Sequence, residues 1–429
     1  MNNELGYSVF RFVLPFYCQS DKGSVKEPFC LPDWKQFSIN TKYLTQSVYE
    51  LFDGELEAVC KCYSLNDIAR PKYSVPGRYS EVTLHSDMPA CKGDYHFFLT
   101  GHRIIWFESG LGFLVMDVQI PEKEISNAAN ISFCISNVFT NEHDSGGRTN
   151  NLVFSYNGEQ SVNEFSIKNS LMKLIFGDTD GKGIELFPSS TRKRLITYHS
   201  IITEKETDDD DKLIYCLANS LHSGIKYDGN VESGNSISSF ADQKWFLGPN
   251  GVATIAKYKG NDSFVTKVHK RNVDFDYFYI FILALHEREI LLKDNYYAVK
   301  YRNNPKKLIA MKNQLLTVDI LYSFNTISIE SSYQRFYTGL VEIFNLENLR
   351  SDIRNVVENV ESHVNDKKDR KVNAVLTAIS ILAIFSVLMD GIGFADRIES
   401  GDPFGILQWL VVVLVALFFA VAIFVLKKK

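Results

Sequence analysis

Polar side chains at helical spacing inside a long apolar stretch are the first feature of this sequence that could do chemistry. Asn373, Thr377 and Ser380 follow one another at intervals of four and three residues, so a helix would carry them on one side. Ile384 and Leu388 continue that side towards the C-terminus. Polar groups inside a membrane should face water or a neighbouring helix, so the pattern predicts a pore lining with a hydrophobic gate. The alternative is that the hydroxyls bond to their own helix and only pack.

An acidic segment follows directly and separates two apolar stretches. It begins with Asp390, Gly391, Ile392 and Gly393, and three more acids stand between residues 394 and 403. A ring of aspartates such as Asp390 around a pore would attract cations by charge alone. A solvated loop that keeps two helix ends in water explains the same acids.

A second candidate site is the segment KWFLGPNG, residues 244–251. Lys244 supplies a cation and Trp245 supplies an indole that can stack, while the turn that follows supplies backbone amides. This combination suits an adenine nucleotide. A buried tryptophan beside an ordinary turn is the favoured alternative. The chain has no nucleophile elbow, Walker loop, HExxH helix or zinc quartet, so no catalytic residue and no metal ligand is predicted.

The pore residues require elements that place them in a membrane. Val372–Met389 contains 18 residues without a charge, and Phe404–Leu426 contains 23. About 20 apolar residues span a bilayer, so both stretches are predicted to be transmembrane helices, with a buried hairpin of a globular protein as the alternative. Lysines and arginines precede the first stretch and follow the second, which predicts that both chain ends lie in the cytoplasm.

Three regions are predicted along the chain of 429 residues. Residues 1–270 read as a cytosolic α/β sensory domain, 271–371 as a helical region with a stalk helix, and 372–429 as a two-helix transmembrane domain. One helix is expected to run from about Gln334 to Met389, with a helix–helix seam that repeats every three or four residues. The seam consists of Leu346, Leu349, Ile353, Val356 and Val360.

Shorter patterns predict elements of the first region. Three strands are expected at Tyr95–Thr100, Arg103–Glu108 and Leu111–Ile120, because glycine-containing pairs separate three runs of aromatic and branched residues. Leu195–Thr203 and Lys212–Leu217 are further strand candidates.

Charge and cysteine content limit the partners and the compartment. The net charge of −5 disfavours nucleic acid as a direct partner. Seven cysteines, an odd number, favour reduced thiols over a disulfide framework. Cys60 and Cys62 could share a metal ion, but free buried thiols are the favoured reading.

The C-terminal 100 residues resemble the CorA magnesium transporters. A long stalk helix leads into a first span, a short outer loop, a second span and a basic tail, and the match can be placed without gaps from Lys371 to Phe394. The resemblance implies a funnel-shaped homopentamer in the bacterial inner membrane, with the first span lining the pore and Asp390, Gly391, Ile392 and Gly393 at its entrance. Where the family has Gly-Met-Asn at the entrance, this chain has Gly391, Ile392 and Gly393, and Leu382 replaces the proline of the first span.

The stretch DYFYIFILALHEREILL and the altered entrance are similar to a CorA branch found beside type III CRISPR systems. That similarity implies an antiviral ion channel that opens when its cytosolic domain binds SAM-AMP, a nucleotide messenger made from S-adenosylmethionine and ATP. The alternative is a transporter of magnesium or another divalent cation that its own ion regulates. The predicted fold is therefore an α+β cytosolic domain followed by a long helical stalk and a two-helix transmembrane hairpin. An enzyme is the least favoured class.

Overall fold

The computed structural model describes most of the chain in segments. The described residues are 7–18, 31–39, 41–53, 59–140, 152–157, 162–177, 183–189, 193–204, 209–229, 236–240, 242–258, 264–301, 304, 307–308, 311, 315–316, 322–399 and 413. They form two compact units. The first unit comprises Met1–Val299 and Gln314–Ile353, and the second comprises Lys300–Asn313 and Arg354–Lys429.

Strands dominate the first unit, and helices follow them in the chain. The strands are β1 (Tyr7–Cys18), β2 (Trp34–Gln36), β3 (Cys60–Leu65), β4 (Glu81–Ser86), β5 (Gly93–Phe107), β6 (Leu111–Gln119), β7 (Leu152–Asn157), β8 (Val162–Phe165), β9 (Ile184–Leu186), β10 (Ile196–Thr203), β11 (Ser236–Phe240), β12 (Gln243–Gly248) and β13 (Gly251–Lys257). The α-helices are α1 (Gln46–Asp53), α2 (Ala128–Ser136), α3 (Ile167–Phe176), α4 (Asp210–Ala218), α5 (Lys270–Asp274), α6 (Asp276–Lys300), α7 (Ser331–Ile343) and α8 (Leu346–Glu399).

All the described strands belong to one mixed sheet of 13 strands. Its main path runs β11-β12-β13-β10-β1-β6-β5-β4-β7-β8, while β2 and β3 pair with each other and extend from β5, and β9 pairs with β1. Only the β10–β13 pair is parallel among the described pairs. Strand β1 lies near the middle, between β10 and β6, and its register places Phe12 opposite Thr197 on one side and Met116 on the other.

The alternation of β1 side chains divides the core into two layers. Phe10, Phe12 and Phe16 point to the face that α2, α3 and α4 also cover, and they are fully buried there. Arg11 points to the opposite face, where its guanidinium lies 4.4 Å from the centre of the Phe278 ring on α6. The period of two therefore fixes which face of the sheet receives α6.

Ion pairs connect the sheet to the start of α6. Arg11 contacts Asp117 of β6 at 3.3 Å and Asp274 at the end of α5 at 2.8 Å, and Arg103 of β5 contacts Asp117 at 2.7 Å. Burial alone would raise the pKa of Asp117, but the guanidiniums of Arg103 and Arg11 hold it below its ordinary value. Asp117 is thus ionised between two cations, and the network fixes the approach of α5 and α6 to the sheet.

Two predictions for the first unit differ from the structure. The expected strands Tyr95–Thr100 and Arg103–Glu108 are one strand, β5, whose register with β6 shifts between Leu99 and Gly101, so the glycine marks a bulge and not a hairpin. The expected strand Lys212–Leu217 lies within helix α4. Asp209 caps that helix by accepting a hydrogen bond from the Lys212 backbone amide, and Asp210 and Asp211 lie in its first turn. These consecutive acids are therefore a helix start signal. The expected strand at Leu195–Thr203 is confirmed as β10.

The predicted uninterrupted stalk is also wrong. Helix α7 ends at Ile343, and Asn345 has a left-handed backbone with φ of 55° before α8 begins at Leu346. Leu346 and Ile353 of the predicted seam are fully buried in the first unit, so they pack within the chain. Helix α8 contains 54 residues, about 80 Å at the rise of an α-helix.

The predicted fold class and the location in a membrane are both wrong. The fold is a large mixed sheet of 13 strands with helices, and among the described residues none of the helices combines the length and the apolarity that crossing a bilayer requires. Helix α8 continues past Met389 to Glu399, through residues that were expected to form an outer loop. The second predicted span, Phe404–Leu426, lies outside the described residues except for Val413. The expectation of a multi-pass inner-membrane protein is corrected accordingly.

A glycine at the start of β13 provides a test of the parallel strand pair. A Cβ atom on Gly251 would overlap the backbone carbonyl oxygen of Thr197 on β10, and a backbone atom cannot rotate away. We expect Gly251→Ala to lower the free energy of unfolding by about 2 kcal/mol or more, measured by urea denaturation. Gly229→Ala is the matched control, because its Cβ would meet only the Tyr227 ring at ordinary contact distance, from 3.4 Å. Equal stability of the two variants would contradict the β10–β13 pairing.

Candidate functional site

The predicted pore residues lie on the exposed surface of α8. Asn373, Thr377, Ser380 and Ile384 are all exposed. The Thr377 hydroxyl donates to the Asn373 carbonyl at 2.8 Å, and the Ser380 hydroxyl donates to the carbonyl four residues before it at 2.9 Å. These are the intrahelical bonds of the alternative reading. For Leu388 and for the predicted entrance, residues 390–393, the structure describes only a helical backbone within α8.

Lys244 and Trp245, the residues predicted to bind a nucleotide, are consecutive in β12, but their side chains have different surroundings. Lys244 donates to Asp211 at 2.9 Å on the surface. Trp245 is buried, with its ring centre 4.7 Å from that of Tyr277 and 4.9 Å from that of Phe336. The structure therefore gives the indole a packing position between the sheet and helices α6 and α7, and its role in ligand binding stays a prediction.

Helix α6 brings together a set of charged residues that the sequence analysis did not select. Its 25 residues contain no proline or glycine, and apolar side chains bury it on most sides. Six titratable residues between positions 286 and 294 are therefore enclosed with it. They are His286, Glu287, Arg288, Glu289, Lys293 and Asp294.

Glu287 faces the beginning of α8. Its carboxylate is fully buried and forms an ion pair with Arg350, whose guanidinium also contacts Glu347 at 2.7 Å. Arg350 donates in addition to the hydroxyl of Ser323 at 2.5 Å. A buried charge requires such partners, and the geometry of the pair is therefore sensitive to any movement of either helix.

The next two residues of α6, Arg288 and Glu289, line a partly enclosed cavity of about 130 Å³. The Arg288 guanidinium lies 4.9 Å from the centre of the Phe344 ring, and its Nη1 is buried without a hydrogen-bond partner among the described residues. Glu289 accepts a hydrogen bond from the hydroxyl of Ser189, which also lines the cavity. Burial raises the pKa of Glu289, and the nearby Arg288 opposes that shift.

The opposite wall of the cavity comes from strand ends of the sheet. Arg194, just before β10, lines it and donates from Nε to Asn137 at 2.9 Å. Pro249 and Asn250, which form the turn between β12 and β13, also line it. The turn of the KWFLGPNG segment thus belongs to the cavity, whereas the lysine and the tryptophan of that segment do not line it.

His286 contacts Ser109 but lacks the environment of a catalytic base. Its Nε2 lies 2.9 Å from the Ser109 hydroxyl, and its ring stacks on Phe107 at 3.9 Å between centres. Burial, and then the charge of Lys293, lower the pKa of His286 well below its ordinary value. The ring is therefore neutral and packed as a core residue.

Lys293 and Asp294 form a buried pair towards the end of α6. Their charged atoms lie 3.6 Å apart, and the ammonium group lies 3.9 Å from the centre of the Tyr17 ring. Burial lowers the pKa of Lys293 and raises the pKa of Asp294 to about 6. This pair is a source of pH-dependent stability.

Cysteine and metal chemistry do not converge on this site. Cys60 and Cys62 are free and buried, as the sequence predicted. In the segments that the structure describes, no three His, Cys, Asp or Glu residues are arranged to hold a metal ion. A signal for the α6 cluster was present in the sequence, because HERE and KD interrupt an otherwise apolar helical stretch, but it did not indicate which element each charge would face.

Comparison with known proteins adds no further identification: no protein-family model, no curated protein and no solved structure matches the chain.

The Lys293–Asp294 pair predicts how stability changes with pH. Because the folded state raises the pKa of Asp294 from 3.8 to about 6, the protonated carboxyl favours folding below pH 3.8, and this contribution is lost as the pH rises through about 6. As the pH rises from 4 to 7, the free energy of unfolding of Asp294→Asn should increase relative to that of the unmodified protein, by up to about 3 kcal/mol. Urea denaturation at several pH values measures this difference. A pH-independent difference would contradict the burial of this carboxyl.

Proposed function

We propose that the protein is a ligand-responsive regulatory protein in which a small ligand bound beside α6 alters α8, the helix through which copies of the chain assemble. The observation that carries this proposal is the position of three consecutive residues of α6. Glu287 holds Arg350 of α8, while Arg288 and Glu289 line a cavity. One turn of α6 thus contacts both a candidate ligand site and the start of α8, the longest of the described helices.

The coupling follows from helix geometry. Consecutive residues point about 100° apart, so side chains at 287 and at 288–289 reach different neighbours while they share one rigid backbone. A ligand that moves Arg288 or Glu289 also moves the backbone that carries Glu287. A ligand shifts the state of α8 only as far as it binds one arrangement of α6 better than the other, so the expected effect is a change of population.

The nature of the ligand is a separate element of the proposal. The resemblance to the CRISPR-associated CorA branch suggests SAM-AMP, and this compound is the first to test. The pore, its gate and its permeant ion depended on the predicted membrane hairpin and are not part of the proposal.

Assembly through α8 is supported by apolar side chains on two of its faces. Val372, Leu376 and Ile379 recur at intervals of four and three, and each is about half exposed in the single chain, at 47%, 54% and 48%. Ile381 and Phe385, each nine residues after a member of that set, lie on the opposite face at 50% and 55%. A dimer would cover one face, whereas a closed ring or bundle covers both, so we propose a homo-oligomer of more than two copies. The pentamer that the resemblance implies fits this requirement.

Hydrogen exchange of the full chain tests the link between the cavity and α8. We expect SAM-AMP to change the exchange protection of residues 346–353 at the start of α8, and Glu287→Gln to reduce this change because it removes the charge that holds Arg350. Mass spectrometry of peptides from α8 measures the effect.

The control for that experiment is Glu342→Gln, which removes a carboxylate from an exposed position on α7. It should respond to the ligand as the unmodified protein does. If SAM-AMP and a panel of nucleotides bind without changing α8, or if both variants respond alike, the proposed coupling is wrong.

The oligomer has its own test, by mass photometry of purified protein. Leu376→Glu and Phe385→Glu place a charge on opposite apolar faces of α8, and each is expected to dissociate the assembly or reduce its size. Asp366→Lys changes the charge at an exposed position of the same helix outside the apolar segment and should leave the assembly intact. A monomer of the unmodified protein, or a dimer that only one of the two glutamates disrupts, would contradict a ring or bundle.

A further inference from the structure

We propose that the cavity beside α6 binds one anionic group, a phosphate or a carboxylate, between the guanidinium groups of Arg288 and Arg194. This inference rests on the proposed function, since it names the chemistry of the ligand that the function requires. It concerns the cavity lined by Arg288, Glu289, Ser189, Arg194 and Asn250.

The charge around the cavity is the first argument. Two guanidiniums and one carboxyl line it, so its net charge is positive whether Glu289 is ionised or protonated. A guanidinium presents its donors in a planar fork that matches the oxygens of a phosphate or a carboxylate.

The donors of Arg288 are the second argument. Its guanidinium is positioned by the Phe344 ring, and Nη1 is removed from solvent while no described residue accepts a hydrogen bond from it. Leaving a buried charged donor unsatisfied is costly, and an anion in the adjacent cavity would satisfy it. Because stacking fixes the guanidinium in advance, little side-chain entropy is lost when the anion binds.

Glu289 and the size of the cavity limit what can enter. A volume of about 130 Å³ is roughly ten times the minimum that holds one water molecule, so a phosphate or a small carboxylate fits. A second anionic group would meet the carboxyl of Glu289, and two ionised groups at close range repel each other. The site thus accommodates a single anionic group.

Calorimetric titration of the full chain tests this inference with three probes. Inorganic phosphate and acetate are the anions, and sulfamide is an uncharged tetrahedral molecule of similar size. We expect saturable binding of phosphate, acetate or both, and no binding of sulfamide. Preference for phosphate would identify a phosphate ligand, and preference for acetate a carboxylate ligand. Binding of sulfamide as tight as that of the anions, or no binding of either anion, would overturn the inference.

Variants locate the binding. Arg288→Gln and Arg194→Gln should each weaken the Kd of the preferred anion by about tenfold or more, because each removes a charged hydrogen bond. Arg335→Gln removes an exposed arginine of α7 that does not line the cavity, and its Kd should stay within about twofold. Circular dichroism establishes that each variant is folded. If all three variants behave alike, the anion binds elsewhere and the inference is wrong.

The outcome also separates this inference from the proposed function. Anion binding that depends on Arg288 but leaves hydrogen exchange in α8 unchanged would refute the function and keep the anion site. A response of α8 to SAM-AMP that Arg288→Gln and Arg194→Gln leave unaltered would refute the anion site and keep the function.

Discussion

The burial of helix α6 against the central strands of the sheet is the constraint on which the other features depend. Arg11 and Arg103 project from the sheet towards this helix, Asp117 holds both, and Asp274 receives Arg11 at the point where α5 ends. These pairs contribute little by their number alone, because removing charges from water offsets most of their attraction. Their effect is to allow one approach of α6 to the sheet, since any other would leave buried charges without partners.

Once α6 is fixed in this way, the charges in its second half acquire distinct partners. Glu287 meets Arg350, Lys293 meets Asp294, and Arg288 and Glu289 meet a cavity that β10 and the β12–β13 turn complete. A helix that is apolar on most sides would be equally stable in many rotations about its axis. Glu287 and Glu289 have partners outside the helix, Arg350 and Ser189, and these select one rotation, which brings the cavity and α8 to the same turn of helix.

Helix α8 differs in kind from α6, because its apolar residues lie on the surface of the single chain. Residues 372–385 expose apolar side chains on opposite faces, whereas Leu346 and Ile353 at its beginning are fully buried. The start of the helix therefore belongs to the folded core of the first unit, and the later part exposes the apolar side chains through which we propose that copies assemble. A helix needs such a buried start and an exposed apolar end to transmit a conformational change from the core to an assembly.

The sequence by itself determined several local features of this protein. The strand predicted at Leu195–Thr203 is β10, α6 lies in the region predicted to be helical from residue 271, and Cys60 and Cys62 are buried as predicted. Such features depend on neighbours in the chain, where the periods of 2 and 3.6 residues apply directly. The same local signals gave wrong predictions where one type of residue is common in two kinds of structure. Gly101 marks a bulge instead of a turn, and the acids before Lys212 start a helix instead of separating two strands.

Only the tertiary structure decided the order of the 13 strands, the end of α7 at Ile343 and the partners of the α6 charges. The cavity brings residues near positions 189–194, 250 and 288 together from three separate parts of the chain, and no spacing in the sequence encodes that meeting. The membrane hairpin was inferred from apolar length alone, and the described part of the structure contains no helix that meets that requirement. The physical reason is common to these cases. Hydrophobicity and period state how a segment prefers to fold, but which surface it finally covers depends on long-range packing and on which buried charges find partners.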